Sequence, residues 1–306
     1  MSLAQIRASF EAQEITKPDF IDRMHAEHAR LFEYAEWIKR TDIARIEISD
    51  GQVVMTSRAD GIRIVCASDD KRIAPIEILN FMDYEKSDSE MIYRLVRDGD
   101  SILDIGANIG WYSIGLAKRY PHCSVSSFEP IPRTFDYLRR NVALNGAANI
   151  AIHNHGFSDR EAELTFYYYP TGSGNASSAK LADVSGVQEV KARVLPLDAC
   201  LAGRSRPVDF IKCDVEGAEL LVFKGAVRTL EADKPVVFSE MLRKWSAKFN
   251  YHPNEIIALF AGLGYACFTA KDGRLAEFTR MDEETVETNF FFLHRLKHAA
   301  VLRDLS

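Results

Sequence analysis

Three carboxylates of this chain stand where predicted strands end. Glu129 follows Cys123–Phe128, Asp214 follows Val208–Cys213, and Glu240 follows Val236–Ser239. Acids at successive strand ends on one sheet edge can accept hydrogen bonds from a ribose, take a proton from a reacting hydroxyl, or hold a cation. A merely solvated edge gives no reason for an acid at each of these ends. Asp214 opens the stretch Asp214-Val215-Glu216-Gly217-Ala218-Glu219, and Lys212 lies two residues earlier, inside the apolar strand. Strand alternation turns Lys212 and Asp214 the same way. A lysine in that position is costly unless its ammonium finds a partner, which Asp214, Glu216 or a substrate oxygen can supply. The candidate general bases are Asp214, Glu216 and Glu240, with His252 as the residue of naturally suitable pKa. Lys212 can steady a developing oxyanion or orient a carboxylate. Paired acids on an oxygen-rich edge also suit Mg2+, between Asp214 and Glu240.

A second group of residues surrounds a glycine-rich turn. Ile102-Leu103-Asp104-Ile105 reads as a short buried strand, Gly106-Ala107-Asn108-Ile109-Gly110 as the turn, and Trp111 to Ala117 as a helix. Glycine lets the backbone pass close to a ligand, and a helix N-terminus offers free N–H groups there. A dinucleotide site calls for G-x-G-x-x-G, but Asn108 occupies the place of its second glycine and Gly110 comes one residue early. Asp104, in the strand end, repels phosphate and suits a cation. S-adenosylmethionine carries a sulfonium and an ammonium and no phosphate, so the turn fits that methyl donor better than NAD. Glu129, nineteen residues after Gly110, is placed to accept from both ribose hydroxyls. Glu129 also reads as an N-terminal acid of the helix that follows. At the end of a third strand, Ile150–His155, Ser158 or Asp159 can bond the exocyclic amine of adenine, or simply make an Asx turn. His153 and His155 share a strand face, with no third metal ligand identifiable nearby.

The elements that must position these residues alternate strand and helix from Ser101 onward. That pattern specifies an α/β fold, a mostly parallel sheet with helices on both faces. An antiparallel pair, Leu164–Tyr169 and Val190–Leu195, interrupts it and flanks the Gly- and Ser-rich stretch Pro170–Ser178, which reads as a lid or a plain surface loop. The last strands are Gly264–Phe268 and Asn289–Leu293, the final antiparallel strand completing seven. Ahead of the sheet, residues 1–88 read as a small α+β cap. It has an amphipathic helix over 19–40, packed on the domain behind it or on a second subunit, then a hairpin turning at Asp50-Gly51 and a third strand through Ile62, Ile64 and Cys66. Residues 89–306 form the donor-binding domain.

The 306 residues, 47% apolar and 27% charged, are those of an ordinary globular protein. A net charge of −6 supplies no basic field for nucleic acid. Five widely spaced cysteines without C-x-x-C pairs read as free thiols. No apolar run is long enough to span a membrane, and no signal-type segment opens the chain, so the expected location is cytoplasmic. The expected partner is a small-molecule or glycan acceptor, and a homo-oligomer is compatible with the sequence.

Taken in order, Leu103–Gly110, Phe128-Glu129-Pro130 and Ile211–Glu219 resemble the FkbM family of S-adenosylmethionine-dependent methyltransferases. The resemblance covers roughly residues 81 to 293 and does not reach the cap. It implies a class I methyltransferase (Rossmann-like) fold and O-methylation of a sugar or a polyketide-type product. By position, it gives Asp104, Gly106, Asn108 and Gly110 the methionine moiety, with Ala107 in the same turn, and gives Glu129 the ribose. Asp214 to Glu219 would line the reacting centre. Two other readings are a NAD-dependent oxidoreductase, against which the missing second glycine argues, and a catalytically silent donor-binding module.

Overall fold

The computed structural model describes residues 1–180 and 186–305. Two capped helices open the chain: α1 (Leu3–Glu11) begins at a Ser2/Gln5 capping box, and α2 (Lys17–Trp37) at a Thr16/Asp19 box. No residue of α2 is buried. The stripe expected to pack on the domain behind it or on a second subunit meets α1 at one end, where Phe10 and Phe20 stack with centroids 4.4 Å apart. At the other end Trp37 Nε1 donates to the carbonyl of Leu79, 2.8 Å. The antiparallel strands β1 (Ile43–Ser49), β2 (Gln52–Ser57) and β3 (Arg63–Cys66) follow. Asp50 and Gly51 both take positive φ, as a two-residue hairpin turn demands. Helices α3 (Ala74–Phe81) and α4 (Lys86–Leu95) lead into the main sheet.

From there the chain runs β4 (Ser101–Ile105), α5 (Trp111–Arg119), β5 (Ser124–Phe128), α6 (Pro132–Asn145) and β6 (Ile150–His153). A side sheet of β7 (Gly156–Phe157), β8 (Ala162–Tyr168) and β9 (Gln188–Leu195) comes next, in the order β7-β9-β8. The remaining elements are α7 (Leu197–Cys200), β10 (Phe210–Cys213), α8 (Glu219–Lys224), α9 (Val227–Asp233), β11 (Val236–Glu240), α10 (Arg243–Ser246), α11 (Asn254–Gly262), β12 (Tyr265–Lys271), β13 (Arg274–Phe278), β14 (Asn289–His294) and α12 (Ala299–Leu305).

The main sheet has eight strands in the order β13-β12-β14-β11-β10-β4-β5-β6. Its centre is parallel, and β14 runs antiparallel to β11. The strand beyond the expected seven is β13, paired with β12 across Asp272-Gly273, whose φ values of 51° and 72° make a second tight hairpin turn. Alternate residues feed two cores. Leu103, Ile211, Phe290 and Phe292 pack under α8, α9 and α11, while Ile102, Phe210, Phe291 and Leu293 pack under α4 and α5. Burial on both faces explains the continuous run Phe290-Phe291-Phe292, each 0% exposed. His153 and His155 flank Phe128, with ring centroids 4.7 and 5.3 Å away.

The edge of β3 is closed by asparagines of α6 rather than by another strand. Asn141 Oδ1 accepts from Val65 N at 2.9 Å, and Asn145 Oδ1 accepts from Arg63 N at 3.0 Å. Asn141 also donates to the carbonyl of Ile109, 2.8 Å, and so joins the small sheet to the glycine-rich turn. Between β4 and β10 the connections leave in opposite directions, one toward β5 and the other toward β11. That switch point opens a crevice at the carboxyl ends of the strands, where ligands bind in open α/β sheets.

Candidate functional site

A cleft of about 270 Å³ occupies this switch point. Its floor comes from the β4 and β10 ends: Gly106 and Asn108 on one side, Asp214, Val215 and Glu216 on the other. The two loops touch so closely that a Cβ on Gly106 would lie 1.8 Å from the carbonyl oxygen of Asp214, and Gly106 has φ +75°. Only glycine fits there. Beyond the turn, Glu129, Pro130, Ile131, Gly156, Phe157 and Ser158 continue the wall toward apolar Leu164, Phe166 and Val194. Glu240, Lys244 and Trp245 line the opposite end.

Glu129 is 6% exposed and holds two backbone amides. Oε2 accepts from Asn108 N at 3.0 Å, and Oε1 accepts from Ile131 N, next to the start of α6, at 2.9 Å. A carboxylate has lone pairs beyond these two bonds, so the ribose role and the helix-start role coexist. Burial pushes the Glu129 pKa up to about 7, against the pull of the two amides.

Asp104 lies behind the cleft. It is 1% exposed, Oδ2 accepts from Ser113 Oγ at 2.5 Å, and Oδ1 lies 3.5 Å from Lys212 Nζ. Strand alternation directs Asp104 and Lys212, side by side in the parallel β4–β10 pair, to the same face, and the ion pair follows. Lys212 Nζ also donates to the Gly106 carbonyl at 2.8 Å and lies 3.4 Å from Asp214 Oδ2. Burial pulls the lysine pKa down, but Asp214, Asp104 and Glu85 together hold it above its ordinary value. The ammonium thus locks the two loops together, and neither Lys212 nor Asp104 is among the lining residues. Ala107 and Gly110 also sit outside the lining, supporting the turn from beneath.

Asp214, Glu216 and Glu240 do converge. Each offers a carboxylate oxygen, and these oxygens lie within 4.8 Å of one another. Glu216 has φ +54°, and its carbonyl accepts from Ser177 Oγ at 2.9 Å. Burial, followed by the neighbouring Asp214, holds the carboxyls of Glu216 and Glu240 well above the usual range. Glu219, the last acid of the stretch, turns away and accepts from Val215 N and Gly217 N.

Two expected residues fall elsewhere. His252 is exposed, its Nδ1 accepting from Asn254 N at 3.2 Å at the start of α11, outside the cleft lining. Asp159 is exposed on a neighbouring depression, while Ser158 lines the cleft and donates to Asp159 Oδ1 at 3.3 Å. The sequence reading missed a wall from the cap: Arg72, Glu77, Tyr84 and Glu85 all line the cleft. Glu85, at φ +43° before α4, accepts from the hydroxyl of Tyr112. Its local signal was Tyr84-Glu85 beside the linking helix, which nothing in spacing connects to the glycine turn. Over the top runs the Gly- and Ser-rich loop. Ser173 Oγ donates to Asn108 Oδ1 at 3.2 Å, Ser173 N donates to Asp70 Oδ2 at 3.1 Å, and Ser173, Gly174, Ala176 and Ser178 line the cleft.

A sheet of this order, with its cleft at the switch point behind a strand–glycine turn–helix, is the class I methyltransferase fold. The family model "Methyltransferase FkbM domain" matches residues 104–267, more than half of the chain, and the chain belongs to that family. The "TRM5/TYW2 methyltransferase domain" model matches residues 40–163. Methyltransferase 1 of Beauveria bassiana is 30% identical over 148 residues, covering 42% of this chain and 59% of that protein. The 31-O-demethyl-FK506 methyltransferase FkbM of Streptomyces tacrolimicus is 23% identical, covering 58% of this chain and 76% of its own length. The hexuronic acid methyltransferase AglP of Haloferax volcanii is 27% identical, covering 44% and 53%. The chain therefore spans about three fifths of the first relative that it matches, 59% of its length.

Proposed function

We propose that this chain transfers a methyl group from S-adenosylmethionine to a hydroxyl oxygen of a small molecule, a sugar or a secondary metabolite. The observation that carries the reading is the polarity of the cleft. Glu129 stands at one end with two amides already on its carboxylate, and the carboxylates of Asp214, Glu216 and Glu240 stand at the other. The donor's ribose would bond Glu129, its methionine part would lie along Gly106 and Asn108, and its adenine would lie against Ile131, Phe157 and Ser158. The sulfonium would then face the acid end, where anionic groups favour a cation.

In the reaction the methyl carbon–sulfur bond breaks as the carbon–oxygen bond forms in line behind it. The sulfur keeps the electron pair, and the hydroxyl proton passes to a carboxylate of the acid end. Holding the oxygen close and aligned supplies most of the acceleration, and a base with a raised pKa takes the proton near neutral pH. Lys212 would act through Asp214, fixing its carboxylate, rather than through the substrate. The O-methyl outcome draws support from the printed name of the Streptomyces relative, and the sugar class from that of AglP. The alternatives are nicotinamide chemistry and a silent donor-binding module.

Incubation with methyl-labelled donor and separate panels of uronic acids, neutral sugars, hydroxylated metabolites and amines tests the reading. Label should enter a hydroxyl acceptor as an ether and should be reduced at least tenfold in Glu240→Gln. Label in amines alone would replace O- with N-methylation, and donor binding without transfer to any panel would favour the silent module.

A further inference from the structure

Asp214, Glu216 and Glu240 meet at the acid end of the cleft, and Lys244 stands in the same lining without an ion pair to any of them among the described residues. Among the described residues, the one buried ammonium there, Lys212, is engaged by Asp104, Asp214 and the Gly106 carbonyl. Among the described residues, neither Glu216 nor Glu240 makes an ion pair. Glu216 Oε2 is shielded from solvent and has no hydrogen-bond partner at all. An ionised oxygen in that state is costly unless a cation or a proton meets it. Asp214 and Glu240 each offer an oxygen within 4.8 Å of one offered by Glu216.

We infer that Asp214, Glu216 and Glu240 form a binding site for one hard divalent cation, the orphaned Glu216 oxygen being its innermost ligand. The inference rests on the methyl-transfer reading of this cleft and adds to it a cation that the acceptor hydroxyl would share. The donor set is oxygen only, which selects the magnesium–manganese–calcium class over zinc or copper. Three carboxylates leave coordination positions for water or a substrate oxygen in the cleft that Tyr84 and Trp245 also line. Magnesium binds oxygens at about 2.1 Å in near-ideal octahedral geometry, whereas calcium takes them at about 2.3–2.6 Å in a more flexible shell, so competition between the two ions reports how tightly the carboxylates can close. A cation here would lower the pKa of a bound hydroxyl and so ease removal of its proton.

The test uses the full chain and Mn2+ as probe, followed by electron paramagnetic resonance and calorimetry, with Mg2+ and Ca2+ as competitors. One Mn2+ should bind per chain, and Glu216→Gln and Glu240→Gln should each weaken it at least tenfold. These near-isosteric variants should melt as cooperatively as the wild type. Displacement by Mg2+ at lower concentration than Ca2+ assigns the smaller ion, and the reverse assigns the larger. No Mn2+ binding at millimolar concentration, or binding unchanged in both variants, overturns the site. If the donor still binds in that case, only the cation inference falls. Loss of donor binding by the wild type would instead remove the methyl-transfer reading itself.

Discussion

At the scale of single residues, the buried ion pair gives the sharpest stability prediction. Asp104 was expected to touch the donor, yet its carboxylate is spent on Ser113 and Lys212 behind the cleft. Removing one partner of a buried pair leaves the other charge uncompensated, at about 3–5 kcal/mol. Lys212→Met should therefore lower the melting temperature strongly, and Asp104→Ala should fail as a folding variant before it fails as a binding one. Chemical denaturation reads both, and a wild-type midpoint in either would refute the pairing. Glu129 governs pH dependence. Its folded pKa is raised from the ordinary 4.5 to about 7, so the donor-free fold binds a proton that the unfolded chain lacks between those values. That contribution to stability is full below pH 4.5 and is lost as pH rises through 7. Donor affinity runs the other way, because the ribose hydroxyls donate to the ionised carboxylate. The Kd should rise up to about tenfold per pH unit below 7 in the wild type, and Glu129→Gln should bind weakly with a flat profile over the same range.

At the scale of elements, strand ends were legible and side-chain destinations were not. The β4 turn, both β10 and β11 acids and the Asp50-Gly51 hairpin follow from local rules: a short apolar run, a glycine, an acid, a two-residue turn. The second hairpin carried the same signal at Asp272-Gly273, and α1 carried a capping box, but weak hydrophobic patterning around them hid both. Which face of β4 receives Asp104 depends on Lys212 of β10, more than a hundred residues away, and no spacing rule reports that. His252 looked suitable for its pKa alone, yet it is exposed just ahead of α11, where its ring nitrogen accepts from the backbone N–H of Asn254. The glycine turn yields a direct test. Gly106→Ala forces a Cβ toward the Asp214 carbonyl and a left-handed backbone on alanine, so donor binding should fall by at least a hundredfold and stability by a few kcal/mol. Wild-type calorimetric affinity in that variant would contradict the close approach. The loop over the cleft is held through Asp70, which accepts from Ser173 N and Arg72 N. Asp70→Ala should speed amide exchange across 171–178 and raise the donor off-rate several-fold, since the Ser173–Asn108 bond loses its anchor; unchanged exchange would show that the loop is held elsewhere.

At the scale of the whole molecule, the cap and the sheet build one cleft. The Asp69–Arg133 pair, the asparagines of α6 and the Lys71–Thr171 backbone bond tie residues before the sheet to the turn and loop that line it. Hence we propose that the segment before residue 88 is part of the acceptor side of the site rather than an appendage, with Arg72, Glu77, Tyr84 and Glu85 as its contribution. The fold class was readable because alternation and strand-end chemistry are local. The cap's role was not, since it depends on contacts that only the folded chain makes. The central claim, that the switch-point cleft is a methyl-donor site, is tested most directly by calorimetric titration of the wild type and Glu129→Ala with S-adenosylmethionine and with NAD. The account predicts one donor bound per wild-type chain, affinity lost at least fiftyfold in the variant, and no heat with NAD. Binding of NAD in place of the donor, or donor affinity unchanged without Glu129, would contradict it.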